Sequence, residues 1–147
     1  MQINTATEFP KQLVGEKAEV TIPAGLVGLP LLTKFLLISD PGIYPFVILR
    51  HFGEEEIDFL AVDPSTVLKE YSLDVSDGDA GELGLSASGT APLILNIAII
   101  HPTEPPSITV NLMAPVLFNR ETGMGKQILL ENADNYSAEH PLDIEAL

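Results

Sequence analysis

Short runs of β-branched, aromatic and aliphatic residues, fenced by Gly and Pro, recur along the chain at roughly the 8–12-residue spacing of an all-β protein. They are Ala18 to Ile22, Phe35 to Ser39, Phe46 to Phe52, Phe59 to Val62, Tyr71 to Val75, Leu93 to Ile100, Ser107 to Met113, Val116 to Asn119 and Lys126 to Leu130. Turn residues rather than long helical stretches join them, which predicts an antiparallel sandwich or small barrel. Polar and apolar positions alternate in Ala18-Glu19-Val20-Thr21-Ile22 and Ile108-Thr109-Val110-Asn111-Leu112, so each run should have one wet face. Leu93 to Ile100 is apolar except for Asn96, the pattern of a central strand buried on both sides. Helix signals are few. Asp63-Pro64 supplies an N-cap and a proline at the first helical position, predicting one or two turns over Ser65 to Glu70. Ser76 with Asp79 three residues on resembles a capping box opening a short helix to about Leu85, weakened by Gly78, Gly81 and Gly84. The expected fold is mainly β: a small antiparallel β-barrel-like single domain spanning 1–147, with one or two short helices. The first few residues and the tail after about Leu142 are expected to be loose.

Length and composition narrow the class. A chain of 147 residues suits one domain, and at that size burial removes about 68–70% of the unfolded surface without staples. With no Cys there are no disulfides, thiolate metal sites or thiol catalysis, which fits a reducing cytoplasm. Met1 to Gly15 carries Glu8 and Pro10 and lacks the basic-then-apolar order of a signal peptide. The apolar runs Leu26 to Leu32 and Leu93 to Ile100 fall far short of the roughly 20 residues a membrane helix needs. Charged residues are only 19% and mean hydropathy is +0.25, so the surface is expected to show apolar patches or open β-edges, or else to cover a somewhat large core.

Catalytic patterns fail one by one. His51, His101 and His140 show no metal-site spacing. Gly84-Leu85-Ser86-Ala87-Ser88-Gly89 misses the nucleophile-elbow order G-x-S-x-G. Gly123-Met124-Gly125-Lys126 lacks phosphate-loop spacing and reads as a hairpin turn between Val116–Asn119 and Lys126–Leu130. Asp74 to Glu82 misses the calcium-loop order. No catalytic set, metal or cofactor is expected, and the chain reads as a non-enzyme.

What remains is charge. The net charge is −14, and Glu54 to Glu82 holds ten acids against one base, hence nine of those fourteen. Such a balance repels phosphate backbones and anionic lipid, so no direct nucleic-acid or membrane partner is expected. The acids form either a solvated edge or a face for a basic partner. For the second reading the candidate residues are Glu54, Glu55, Glu56, Asp58, Asp74, Asp77, Asp79 and Glu82. A second candidate surface, on Val110–Asn119 and Gly125–Leu130, is marked by Asn111, Asn119 and Gln127, polar interruptions in apolar strands, although residues of this kind at strand ends and before turns more often satisfy local backbone.

Ile22-Pro23-Ala24-Gly25-Leu26-Val27-Gly28-Leu29, Pro45-Phe46, Asp63-Pro64, Leu95-Asn96-Ile97, the block Val110-Asn111-Leu112-Met113-Ala114-Pro115-Val116-Leu117-Phe118-Asn119, Gly125-Lys126-Gln127, and Tyr136 with His140-Pro141-Leu142 together resemble the flagellar assembly factor FliW family. The resemblance implies a β-barrel-like, cytoplasmic, monomeric regulator that binds flagellin. When freed of flagellin it would bind the RNA-binding repressor CsrA and antagonise it, so that flagellin is translated. The family commonly has Phe at the places of Ile22 and Leu29, expected to be tolerated core swaps. It differs more consequentially where Arg50, His51 and Glu139 stand. The rival reading is a small-ligand-binding or catalytic β-barrel, which would need a cavity with convergent ionisable groups.

Overall fold

A computed structural model describes residues 1–4, 17–87, 89 and 91–146. Ser88 of the Gly84–Gly89 stretch, the terminal Leu147 and most of the 1–15 stretch read above fall outside them. The strands are β1 (Gln2–Asn4), β2 (Lys17–Thr21), β3 (Lys34–Ile38), β4 (Phe46–His51), β5 (Ile57–Val62), β6 (Ser72–Asp74), β7 (Leu93–His101), β8 (Ser107–Val110), β9 (Val116–Phe118), β10 (Gly125–Gln127) and β11 (His140–Leu142). One α-helix, α1 (Asp77–Glu82), accompanies them among the described residues. All these strand pairs are antiparallel, so the mainly β, antiparallel expectation holds.

The main sheet runs β10-β9-β7-β5-β4-β3-β2, with β8 joined to β7 and β11 to β8. Its two ends curl toward each other until β2 meets the β9–β10 turn at an isolated bridge, Thr21 to Met124, where the Thr21 amide donates to the Gly123 carbonyl at 2.9 Å. One bridge is not a ladder. The barrel therefore does not close, and this refines the barrel-like expectation.

Burial follows the two-residue period. On β7, Leu93 and Leu95 enter one core while Ile94 and Ala98 enter the other; on β9, Val116 and Phe118 enter the first and Leu117 the second. The central strands are thus buried on both faces, whereas β2, β3 and β4 give only Val20, Phe35, Leu37, Val47 and Leu49 to the first core. The expectation for Leu93 to Ile100 fails at its end. Ile99 and Ile100 are exposed, because β5 leaves β7 after Ala98 and only β8 continues beside it.

β8 and β9 share one edge of β7, with Val110 opposite Ala98 and Val116 opposite Leu95. Five residues, Asn111 to Pro115, therefore face two, which makes a wide bulge. Its carbonyls need donors, and two buried side chains supply them. Asn96 Nδ2 donates to the Asn111 carbonyl at 2.8 Å and to the Tyr71 hydroxyl at 3.1 Å, and Tyr71 Oη donates to the Leu112 carbonyl at 2.7 Å. That is why an apolar strand carries an asparagine.

Both N-caps form. Ser76 Oγ accepts from the Asp79 amide at 3.1 Å and opens α1, and Asp63 Oδ1 accepts from the Ser65 amide. The second cap opens only one 3₁₀ turn, Pro64–Thr66, rather than a helix to Glu70. Residues 1–4 are not loose: β1 pairs with β6, and the Met1 ammonium donates to the Val75 carbonyl at 2.8 Å.

Candidate partner-binding surfaces

The ten acids of Glu54 to Glu82 do not make one patch. Glu54, Glu55 and Glu56 form the exposed β4–β5 hairpin tip, and Asp58 is the second residue of the return strand β5. Arg50 stands opposite Asp58 in the register and is held by it in two bonds, Nε to Oδ1 at 2.7 Å and Nη2 to Oδ2 at 3.0 Å, with Glu56 at 3.5 Å. The shared hydrogen bonds hold the Asp58 carboxyl below the usual range and the Arg50 guanidinium above its own. One guanidinium is thus set against four carboxylates on this hairpin, two of them in direct contact.

The second acidic group gathers around α1. Asp74 ends β6, Asp77 lies 3.9 Å from the Met1 ammonium, and Lys126 on β10 donates to Asp79 Oδ1 at 2.7 Å and to Glu82 Oε2 at 2.5 Å. Those bonds depress the Asp79 carboxyl and raise the Lys126 ammonium. Lys126 sits across β9 from Ile94, whereas Asp58 lies two residues beyond Leu60, which faces Ala98. The two groups are therefore separated by about 20 Å along the strand direction, at roughly 3.3 Å per residue.

Asn111, Asn119 and Gln127 come together around the β9–β10 hairpin, and all three serve backbone. Asn111 Oδ1 accepts from the Met113 and Ala114 amides, holding the bulge. Asn119 Oδ1 accepts from the Glu121 and Thr122 amides while its Nδ2 donates to the Leu83 carbonyl, tying α1 to the hairpin. Gln127 Nε2 donates to the Ala114 carbonyl, and its Oε1 accepts from the Val27 amide at 2.8 Å. That last bond lays the loop 22–33 against β10.

This loop is the feature that strand-by-strand reading misses. The Ile22 amide donates to the Thr33 carbonyl at 2.8 Å and closes its ends. Ile22 and Leu26 are buried, but Val27, Leu29 and Leu31 are exposed, so Leu29 does not occupy the core position expected of it. Three apolar residues alternating on an irregular loop have no strand partner to hide one face, and that is the signal the sequence offers. Beside the loop lies a cavity of about 110 Å³ lined by Pro23, Ala24, Glu82, Leu83, Met124, Gly125 and Lys126.

At the other end of the sheet a cleft of about 420 Å³ is lined by Tyr44, Pro45 and residues 65–69. Asp63 beneath it is 1% exposed; its Oδ2 accepts from Tyr44 Oη at 2.9 Å and its Oδ1 from the Ser65 amide and hydroxyl. Burial raises the Asp63 carboxyl above the usual range and, with Asp63 beside it, pushes the Tyr44 phenol up to about 12. The two Ser65 contacts cap Asp63's own turn and the Tyr44 hydroxyl braces it from the segment before β4, so the carboxylate acts as a cap and brace. Among the described residues no group of three or more His, Asp or Glu is placed to hold a metal ion. No described helix is long and apolar enough to cross a membrane.

Fold and surface together define an antiparallel β scaffold whose chemistry lies outside, in two acidic groups and an apolar loop. Residues 3–142 match the family described as FliW protein. The chain is 32% identical over 138 residues to the flagellar assembly factor FliW of Natranaerobius thermophilus, covering 94% of this chain and 90% of that one. It is 39% identical over 124 residues to the FliW of Carboxydothermus hydrogenoformans, covering 84% and 78%. A crystal structure of the flagellar assembly factor FliW superposes over the full length of both chains with a TM-score of 0.73 at 23% identity, which shows the shared fold. The chain belongs to the FliW family of flagellar assembly factors.

Proposed function

We propose that this chain is a single-domain, cytoplasmic, non-enzymatic regulator that binds flagellin, and that when flagellin leaves it captures CsrA and lifts repression of flagellin translation. The reading is carried by one observation beyond family membership: the exposed hairpin tip sets Glu54, Glu55, Glu56 and Asp58 against a single Arg50 in a body of charge −14. A repressor that grips RNA must be basic where it meets phosphates, so it is drawn to such a tip, and RNA is pushed away once docking occurs. A pair of unit charges 8 Å apart at an effective dielectric of about 20 interacts by roughly 2 kcal/mol before screening. Several such pairs suffice for more than tenfold in affinity. Flagellin's apolar, unassembled ends call for the uncharged surface instead.

The test is binding of the triple variant Glu54→Gln/Glu55→Gln/Glu56→Gln to CsrA by calorimetry at 50 and 300 mM salt. The expected result is weaker binding with a shallower salt dependence. Unchanged affinity and slope would remove the hairpin tip from the account.

A further inference from the structure

Exposed apolar side chains occur in two places that could hold a partner, and they differ in what surrounds them. Ile99 and Ile100 sit on the β7–β8 arm, 53% and 59% exposed. Being successive strand residues they point to opposite faces, so they make no common surface. Val27 at 74%, Leu31 at 88%, Leu29 at 41%, Met124 at 39% and Leu129 at 67% belong to the loop 22–33 and the hairpin that carries it. Gln127 binds the Val27 amide, and Leu129, two residues on, shares its side of the chain. Met124 opens onto the adjoining 110 Å³ cavity.

The loop is built to hold its shape. Gly25 has φ +70°, and a Cβ there would lie 2.4 Å from the Leu29 carbonyl oxygen, so the chain can fold back on itself only with glycine at this position. Amides of Gly25, Leu29 and Leu32 donate to the carbonyls of Ile22, Leu26 and Leu29. Bulky aliphatic side chains are thus displayed on a loop whose ordering cost is already met in the free protein.

The surroundings select the occupant. The loop from Ile22 to Thr33 carries no charged residue; Glu82 lines the cavity beside it, where Asp79 and Glu82 outnumber Lys126, and Lys34 follows the loop directly in the chain. A second copy of a −14 chain would bring like charges together around this surface. We propose that the loop 22–33, with Met124 and Leu129, is the docking surface for an amphipathic polypeptide segment that is aliphatic on one face and carries Lys or Arg along its flanks. The assignment rests on the reading that the chain works by holding other polypeptides.

The test uses the whole chain and two 18-residue helical peptides, one of Leu and Lys and one of Leu and Glu, measured by fluorescence anisotropy. The expected result is that the Leu/Lys peptide binds and the Leu/Glu peptide does not. Val27→Ser/Leu31→Ser should weaken the first by at least tenfold, while Ile99→Ser/Ile100→Ser stays within twofold. Both variants alter exposed side chains, and unchanged thermal melting checks that they fold. Equal binding by wild type and the loop variant overturns the assignment. So does a concentration-dependent dimer, seen by sedimentation, that the loop variant abolishes. Flagellin and CsrA, titrated separately, decide the earlier reading: a wild type that ignores both while keeping the loop-dependent peptide binding sinks that reading and leaves this one standing.

Discussion

The substitution Tyr71→Phe removes one oxygen from the centre of the molecule. Tyr71 is fully buried, and its hydroxyl joins three elements: it donates to the Leu112 carbonyl in the bulge and accepts from Asn96 on β7, while the ring meets Tyr136 edge-on at 4.9 Å. The aromatic ring is retained in the variant, so packing is kept and the change is confined to the polar contacts. Leu112 is fully buried, so its carbonyl then has no route to water and bears a desolvation cost of about 1–3 kcal/mol. Asn96 Nδ2 keeps its bond to the Asn111 carbonyl, but its Oδ1 already lacks a partner among the described residues, so little compensation is available there. At about 2–4 °C per kcal/mol for a domain of this size, the melting temperature should fall by roughly 2–12 °C. Urea unfolding at pH 7 is the assay, with an m-value matching wild type to show that the same surface is exposed. A midpoint within error of wild type would mean that the bulge carbonyls find other donors and that Asn96 and Tyr71 do not hold β8 and β9 in place.

Further expectations follow from the charged contacts. Asp79 and Asp58 have depressed carboxyls, so each contributes stability that is present above the unfolded carboxylate pKa of about 3.9 and lost as pH falls through the lower folded value. Asp79→Asn should therefore flatten the acid limb of a stability-versus-pH curve below about pH 4; an unchanged limb would show that Lys126 is not its partner in solution. Asp63 has the opposite sign: its folded pKa is raised, so its contribution is full below the unfolded value and declines as pH rises through the folded one. Asp63→Asn should lose less stability than wild type as pH rises above the unfolded carboxylate value of about 3.9, read by urea midpoints at each pH. Lys126→Ala should cost about 1 kcal/mol, because it unties α1 from β10 at a partly exposed pair, and hydrogen exchange should show α1 opening first.

Much of the fold is legible in the sequence because central strands advertise themselves. β7 shows an apolar run, and β2 shows alternation. Both N-caps are visible as residue types at fixed offsets. The elements that escape have weak local signals. Gln2–Asn4 is three residues long, and its partner β6 begins near residue 72; His140–Leu142 contains Pro141, which only an edge strand admits. The Asp63 helix stops after one turn because Val67 and Leu68 leave it to pack against the second core. The sites are less legible, for a topological reason. Acids contiguous in sequence are carried apart by the β5–β7 register, while Val27 and Gln127, one hundred residues distant, are brought to 2.8 Å. Asn111, Asn119 and Gln127 draw notice as polar breaks in apolar runs, and the structure shows backbone as what each of them holds.

In the proposed role one acidic β scaffold holds either of two polypeptides and signals by which one is attached. The direct measurement is a competition: fluorescently labelled CsrA bound to the full chain, titrated with monomeric flagellin encoded in the same genome and followed by anisotropy. The account predicts that flagellin returns CsrA to its free value at near-stoichiometric addition. A stable ternary complex, or CsrA that never binds, would contradict it.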